Sequence, residues 1–131
     1  MIDIHPASML ALMVLLHLIA DYTLQGCLAN LKQKRWWEDN LTRAPVPDKD
    51  RYRHDYACGL VCHGLYWSLV VCLPLLLVGG CAYAANALIQ GLVHACIDDQ
   101  KANRFALNLI EDQALHAVQI ICIWGVWLSM T

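Results

Sequence analysis

The side chains best suited to chemistry in this sequence are four imidazoles and three carboxylates: His17, Asp21, His63, His94, Asp98, Asp112 and His116. Three pairs among them, His17 with Asp21, His94 with Asp98 and Asp112 with His116, are spaced four residues apart. On a helix that spacing puts both members on one face, a turn apart. Imidazole suits zinc, iron and nickel; carboxylate suits manganese and can bridge paired metals. The set is therefore a candidate ligand shell for one or two divalent transition metals, zinc foremost, with manganese and iron as alternatives. Asp98 and Asp112 are each candidates for ligand and for general base. Lys101 follows Asp98 on the next turn and is a candidate catalytic cation for an anionic group, with Arg104 or Lys32 assisting. Gln25, Tyr66 and Gln113 are expected to orient the ligands through hydrogen bonds. The same residues also suit a metal-free His–Asp network for proton movement or helix packing, and the lysines also suit anchors facing lipid phosphate. No serine-nucleophile motif, phosphate-binding glycine loop or CxxC pair competes with this cluster.

The elements that carry these residues are apolar. Hydrophobic residues make up 59% of the 131-residue chain and charged residues only 15%, against roughly 25% in soluble domains. Three stretches, 6–31, 56–100 and 105–131, lack Lys and Arg, and the middle one is broken at Gly79-Gly80. About 20 residues of helix cross a hydrocarbon core. The expectation is an all-α, four-transmembrane-helix antiparallel bundle with a buried polar cluster, forming one domain over 1–131. The spans fall at about 6–30, 55–78, 82–101 and 105–130. Each carries one polar stripe: His17, Asp21 and Gln25; His63 with Gly59 and Tyr66; Asn86, Gln90, His94 and Asp98; Asn108, Asp112, His116 and Gln119. Facing inward, the stripes meet; facing lipid, each ionisable group would cost several kcal/mol. His5 and His54 fall outside the stripes and are expected at the surface, as are Asp99 and Glu111. Pro6 suits a first helical turn, Asp55 an N-cap, and Pro74 is expected to kink or loosen the second span. The seven cysteines (27, 58, 62, 72, 81, 96 and 122) follow no zinc-finger spacing and read as small packing residues.

All nine basic residues fall in the 31–54 connection and the 101–104 turn: Lys32, Lys34, Arg35, Arg43, Lys49, Arg51, Arg53, Lys101 and Arg104. The positive-inside rule makes that side cytoplasmic and places both termini outside, periplasmic in a bacterial inner membrane. Trp36 and Trp37 suit the headgroup level, on a short interfacial helix before the Pro45/Pro47 loop. A net charge of −2 offers no basic field for nucleic acid. Gly59 and Gly64 leave room for close helix contacts, and homo-oligomerisation stays open.

The segments HLIADYTLQ (17–25), the single His63, HACIDDQK (94–101) and EDQALH (111–116) resemble a family of small bacterial and phage membrane proteins of unknown function. Its pattern is HxxxDxxLQ, H, HxxxDxxK and DQxxH, and the resemblance covers residues 17–116. It implies a helical membrane fold. A looser similarity, to membrane-bound metal-dependent hydrolases, implies His and Asp ligands on bundle helices. The leading expectation is a membrane-embedded metal-dependent hydrolase acting on a phosphoester or lipid-linked substrate, such as a phospholipid, near the cytoplasmic face. Two alternatives are divalent metal or proton transport along the same stripe, and a non-enzymatic membrane interaction protein that works through the basic 31–54 loop.

Overall fold

The computed structural model describes residues 5–45, 47–79 and 83–130, and among them every regular element is helical. In chain order these are α1 (Pro6–Leu18), a π-helical turn (Ile19–Thr23), α2 (Leu28–Leu31), α3 (Lys34–Arg43), a 3-10 turn (Asp50–Tyr52), α4 (Asp55–Gly79), α5 (Ala84–Ala102) and α6 (Leu109–Met130). Three segments, Pro6–Thr23, Asp50–Gly79 and Leu109–Met130, are long and apolar enough to cross a membrane. The remaining long helix, α5, falls short of that apolar standard because Asn86, Gln90, His94, Asp98, Asp99 and Lys101 lie along it. Gly80, Cys81 and Ala82, where the break before the third expected span falls, lie outside the described residues.

Neighbouring long helices run antiparallel. His17 pairs with Gln113 at one end of α1 and α6, and the Pro6 carbonyl accepts from Trp124 at the other. Helices α4 and α5 approach most closely, and small residues are the reason. A Cβ on Gly64 would collide with the carbonyl of Gly91, and one on Gly91 would lie 2.8 Å from Ser68 Oγ. Small residues let helix backbones meet where lipid gives no hydrophobic drive to do so. The end of the bundle away from the basic residues packs Met9, Met13, Val71, Leu75, Ile123 and Trp127 into an apolar core. Leu15, Leu69, Leu77, Leu88, Ile89 and Ile121 point outward and are more than half exposed, a lipid-like exterior.

Four details depart from the sequence expectation. The first span stops near Thr23 rather than residue 30: the helix loosens into the π turn, and Gly26 (φ +50) turns the chain. A left-handed backbone of that kind is open to glycine at little cost. Asn108 belongs to no stripe. Its side chain accepts from the Ile110 and Glu111 N–H groups while Glu111 accepts from the Asn108 N–H, a capping box that starts α6. Asp55 is the first residue of α4 rather than its cap, where a carboxylate still meets the positive end of the helix dipole. Of the described cysteines, only Cys72 packs in the core; Cys27, Cys58, Cys62, Cys96 and Cys122 are exposed, and Cys81 lies outside the described residues. Pro6 opens α1 as expected, α3 supplies the short helix that carries Trp36 and Trp37, and Pro74 is buried within α4 without ending it.

Candidate metal centre

Six of the seven candidate residues converge. Along α4, α5 and α6, His63, His94 and His116 occupy inward positions and are fully buried. Trp67, one turn beyond His63, stacks on the His94 ring at 4.1 Å, and His94 stacks on His116 at 4.2 Å. The Nδ1 atoms of His63, His94 and His116 are buried with no hydrogen-bond partner among the described residues. Stacking, rather than a hydrogen bond to the far nitrogen, therefore orients the His94 and His116 rings, while the His63 ring is tilted 49° to His94; the Nε2 atoms of all three face Asp98.

The separations of these atoms are informative. His63 Nε2 lies 3.3 Å from His94 Nε2, 3.2 Å from Asp98 Oδ2 and 3.6 Å from Asp21 Oδ1. His94 Nε2 lies 3.8 Å from Asp98 Oδ2. His116 Nε2 lies 3.4 Å from both Asp98 Oδ1 and Asp112 Oδ1. Ligands about 2.0–2.1 Å from a tetrahedral ion stand about 3.4 Å from one another, a spacing that falls among these separations. Two overlapping groups, Asp21–His63–His94 and His94–Asp98–His116, could each hold a metal ion. They share the one His94. His116 Nε2 and Asp112 Oδ1 are buried and take part in no hydrogen bond among the described residues. A cation between them would satisfy both, since unpartnered buried polar atoms are costly.

His17 stands apart. Its Nδ1 accepts from Trp67 Nε1 at 2.8 Å, so the proton is on Nε2, which donates to Gln113 Oε1 at 3.1 Å. The Gln113 amide in turn donates to Asp21 Oδ2 (3.0 Å) and Asp112 Oδ2 (3.1 Å). Gln113 thus links His17 to both Asp21 and Asp112. Gln25 donates to the Asp21 carbonyl and supports the π turn that aims the Asp21 side chain. Such turns recur where a helix must re-aim a functional residue. Tyr66 does not join the network; it packs against the apolar core, and Trp67 holds the place expected of it. The reason is angular: on α4, Trp67 projects closer to the inward line of Leu60, His63, Gly64 and Val71.

By sequence Lys32 is only an assisting cation beside Lys101. Its ammonium lies 2.6 Å from Asp98 Oδ2 and 3.2 Å from His63 Nε2. Three contacts fix its backbone there. A Cβ on Gly59 would strike the Leu31 carbonyl, so α2 rests directly on α4 one turn before His63. Trp37 Nε1 donates to Leu31 O (2.8 Å). Asn103 donates to Lys32 O (3.1 Å) and accepts from Lys34 N (2.7 Å), stapling the loop to the end of α5. Lys101 pairs with Asp112 Oδ2 at 2.7 Å, and Arg104 pairs with Asp99 outside the cluster. His5, His54 and Glu111 are exposed, whereas Asp99 is half-buried beneath its Arg104 and Asn103 partners. A cavity of about 360 Å³, lined in part by Gln25, Lys32, Gln33, Asp98 and Lys101, opens onto the cluster. Comparison with protein families, with curated proteins and with solved structures finds no match for this chain.

Proposed function

We propose that the chain is a membrane-embedded metal-dependent hydrolase that cleaves a phosphoester, on a lipid or lipid-linked substrate, near the cytoplasmic face. The carrying observation is the convergence of the His63, His94 and His116 Nε2 atoms on Asp98 at the edge lengths of a tetrahedral shell. Charge supports the same reading. Three carboxylates (Asp21, Asp98, Asp112) against two ammoniums (Lys32, Lys101) leave one negative charge when the imidazoles are neutral. A divalent ion turns that excess to one positive charge, which favours an anionic substrate. A metal held there would act as a Lewis acid and lower the pKa of a coordinated water toward 7. Of the chain's own groups, Asp98 lines the cavity and faces three imidazoles, so it combines ligand and proton-accepting roles; Lys101 holds Asp112.

In this reading α5 is the fourth span. Its buried face carries His94 and Asp98 while Leu88, Ile89, Leu92 and Val93 face lipid. The nine-to-none distribution of Lys and Arg supports a cluster toward the cytoplasmic side of a bacterial inner membrane. The resemblance to small bacterial and phage membrane proteins agrees with that setting. Metal analysis of detergent-purified protein tests the proposal. Stoichiometric zinc, manganese or iron is expected in the wild type and absent from folded His94→Ala and His116→Ala, together with metal-dependent release of phosphate from a phospholipid panel. No bound metal after reconstitution with all three ions rules the proposal out.

One observation favours the transport reading: Gln119 donates to Gln90, and Gln90 to Asn86, so the polar thread runs outward from His94. Against it, the core at that end of the bundle is formed by Met9, Val71, Leu75 and Ile123, all fully buried apolar residues. A conduit needs wet or polar positions at that depth.

A further inference from the structure

Lys32 raises a question the hydrolase reading does not answer: why a buried carboxylate intended for a metal should already hold an ammonium. The Lys32 side chain is 13% exposed and contacts Asp98 Oδ2 and His63 Nε2. Those two atoms, 3.2 Å apart, form an edge between the two candidate metal groups, His63 in one and Asp98 in the other. An ammonium and a divalent ion compete for that edge, since like charges at such range repel strongly. Lys101 differs. It engages Asp112 Oδ2 and leaves Oδ1, the oxygen facing His116, to a metal. Both lysines line the same 360 Å³ cavity.

Building on the metal-centre reading, we infer that Lys32 and Lys101 form a phosphoryl-binding site at the cavity mouth, and that metal binding completes it by displacing the Lys32 ammonium from Asp98 into the cavity. The backbone need not move. Gly59, Trp37 and Asn103 hold the Lys32 main chain, so the four-carbon side chain swings alone. The ligand class is a phosphoryl dianion, met by two ammoniums that line one cavity. Metal and phosphoryl group then bind cooperatively, and by linkage each raises the affinity of the other.

Manganese binding, followed by electron paramagnetic resonance with and without methylphosphonate, tests this. For the wild type, methylphosphonate is expected to tighten manganese binding by about tenfold, a typical coupling. Lys32→Met is expected to bind manganese more tightly than wild type without the phosphonate and to lose most of the enhancement. Lys101→Met is expected to lose enhancement without that gain, and Lys32→Arg to retain it. Repeating the titration in phosphatidylcholine nanodiscs, with and without phosphatidic acid, separates the sources. Enhancement by methylphosphonate in detergent points to a water-borne group, and enhancement only with phosphatidic acid points to a lipid headgroup; either supports the site. Equal enhancement in wild type and both methionine variants, or weaker manganese binding in Lys32→Met, overturns the inference and leaves the metal centre standing. No manganese binding in any form overturns the inference; the metal centre falls with it only if zinc and iron also fail to bind.

Discussion

Both ring nitrogens of His17 are engaged, one by Trp67 and one by Gln113, whereas the Nε2 of His116 faces two carboxylate oxygens without a hydrogen bond. On the metal-centre proposal that difference makes His17 an orienting histidine and His116 a ligand, although both occupy equivalent places in helix stripes. His17→Ala is therefore expected to weaken metal binding by about 10–100-fold, the usual effect of removing an outer hydrogen-bond partner. His63→Ala and His116→Ala should abolish it. Competition titration with a chromophoric chelator distinguishes the two classes; loss of all binding in His17→Ala would make His17 a ligand. The sequence identified the seven residues but not this division, because stripe position says nothing about which atom a neighbouring helix supplies. Trp67 escaped notice for the same reason: a tryptophan in an apolar span reads as packing until its N–H is seen to end on His17.

At the scale of elements, the glycines decide where the helices sit. Gly64→Val would drive a branched side chain into the Gly91 carbonyl and Ala95. A destabilisation of about 1–3 kcal/mol is expected, with weakened metal binding as α4 and α5 part. Gly125→Ala is the control, for its Cβ would meet nothing within 4 Å. Helix propensity makes it neutral or stabilising by about 0.5–1 kcal/mol. Thermal unfolding in detergent reads both; equal effects would remove close packing as the cause. The helix boundaries of α4, α5 and α6 were legible to within a few residues from apolar runs and breaks. The early end of the first span was not. A π turn leaves no distinctive composition, and IADYT reads as ordinary apolar helix.

At the scale of the molecule, one end of the bundle is basic, polar and hydrogen-bonded across elements, and the other is an apolar plug around Val71, Leu75 and Ile123. That asymmetry suits a site reached from one side. If the basic end is cytoplasmic, alkaline phosphatase fused after Thr131 should be active and green fluorescent protein fused there dark. The reverse pattern would invert the orientation and move the cavity mouth to the outer face.

The sequence by itself determined what depends on position along a single chain. A turn of helix spans close to four residues, so HxxxD and DxxxH place their members on one face whatever the helix packs against. Apolar length and the clustering of Lys and Arg are likewise properties of the chain. Only the tertiary structure decided what depends on distances between helices. Gly64 and Gly91 set the approach that brings His63 Nε2 to 3.3 Å from His94 Nε2. Gly59 and Asn103 carry Lys32 from a loop into the cluster. Such contacts join residues far apart in the chain, and their geometry follows from which backbones can approach without a side chain between them.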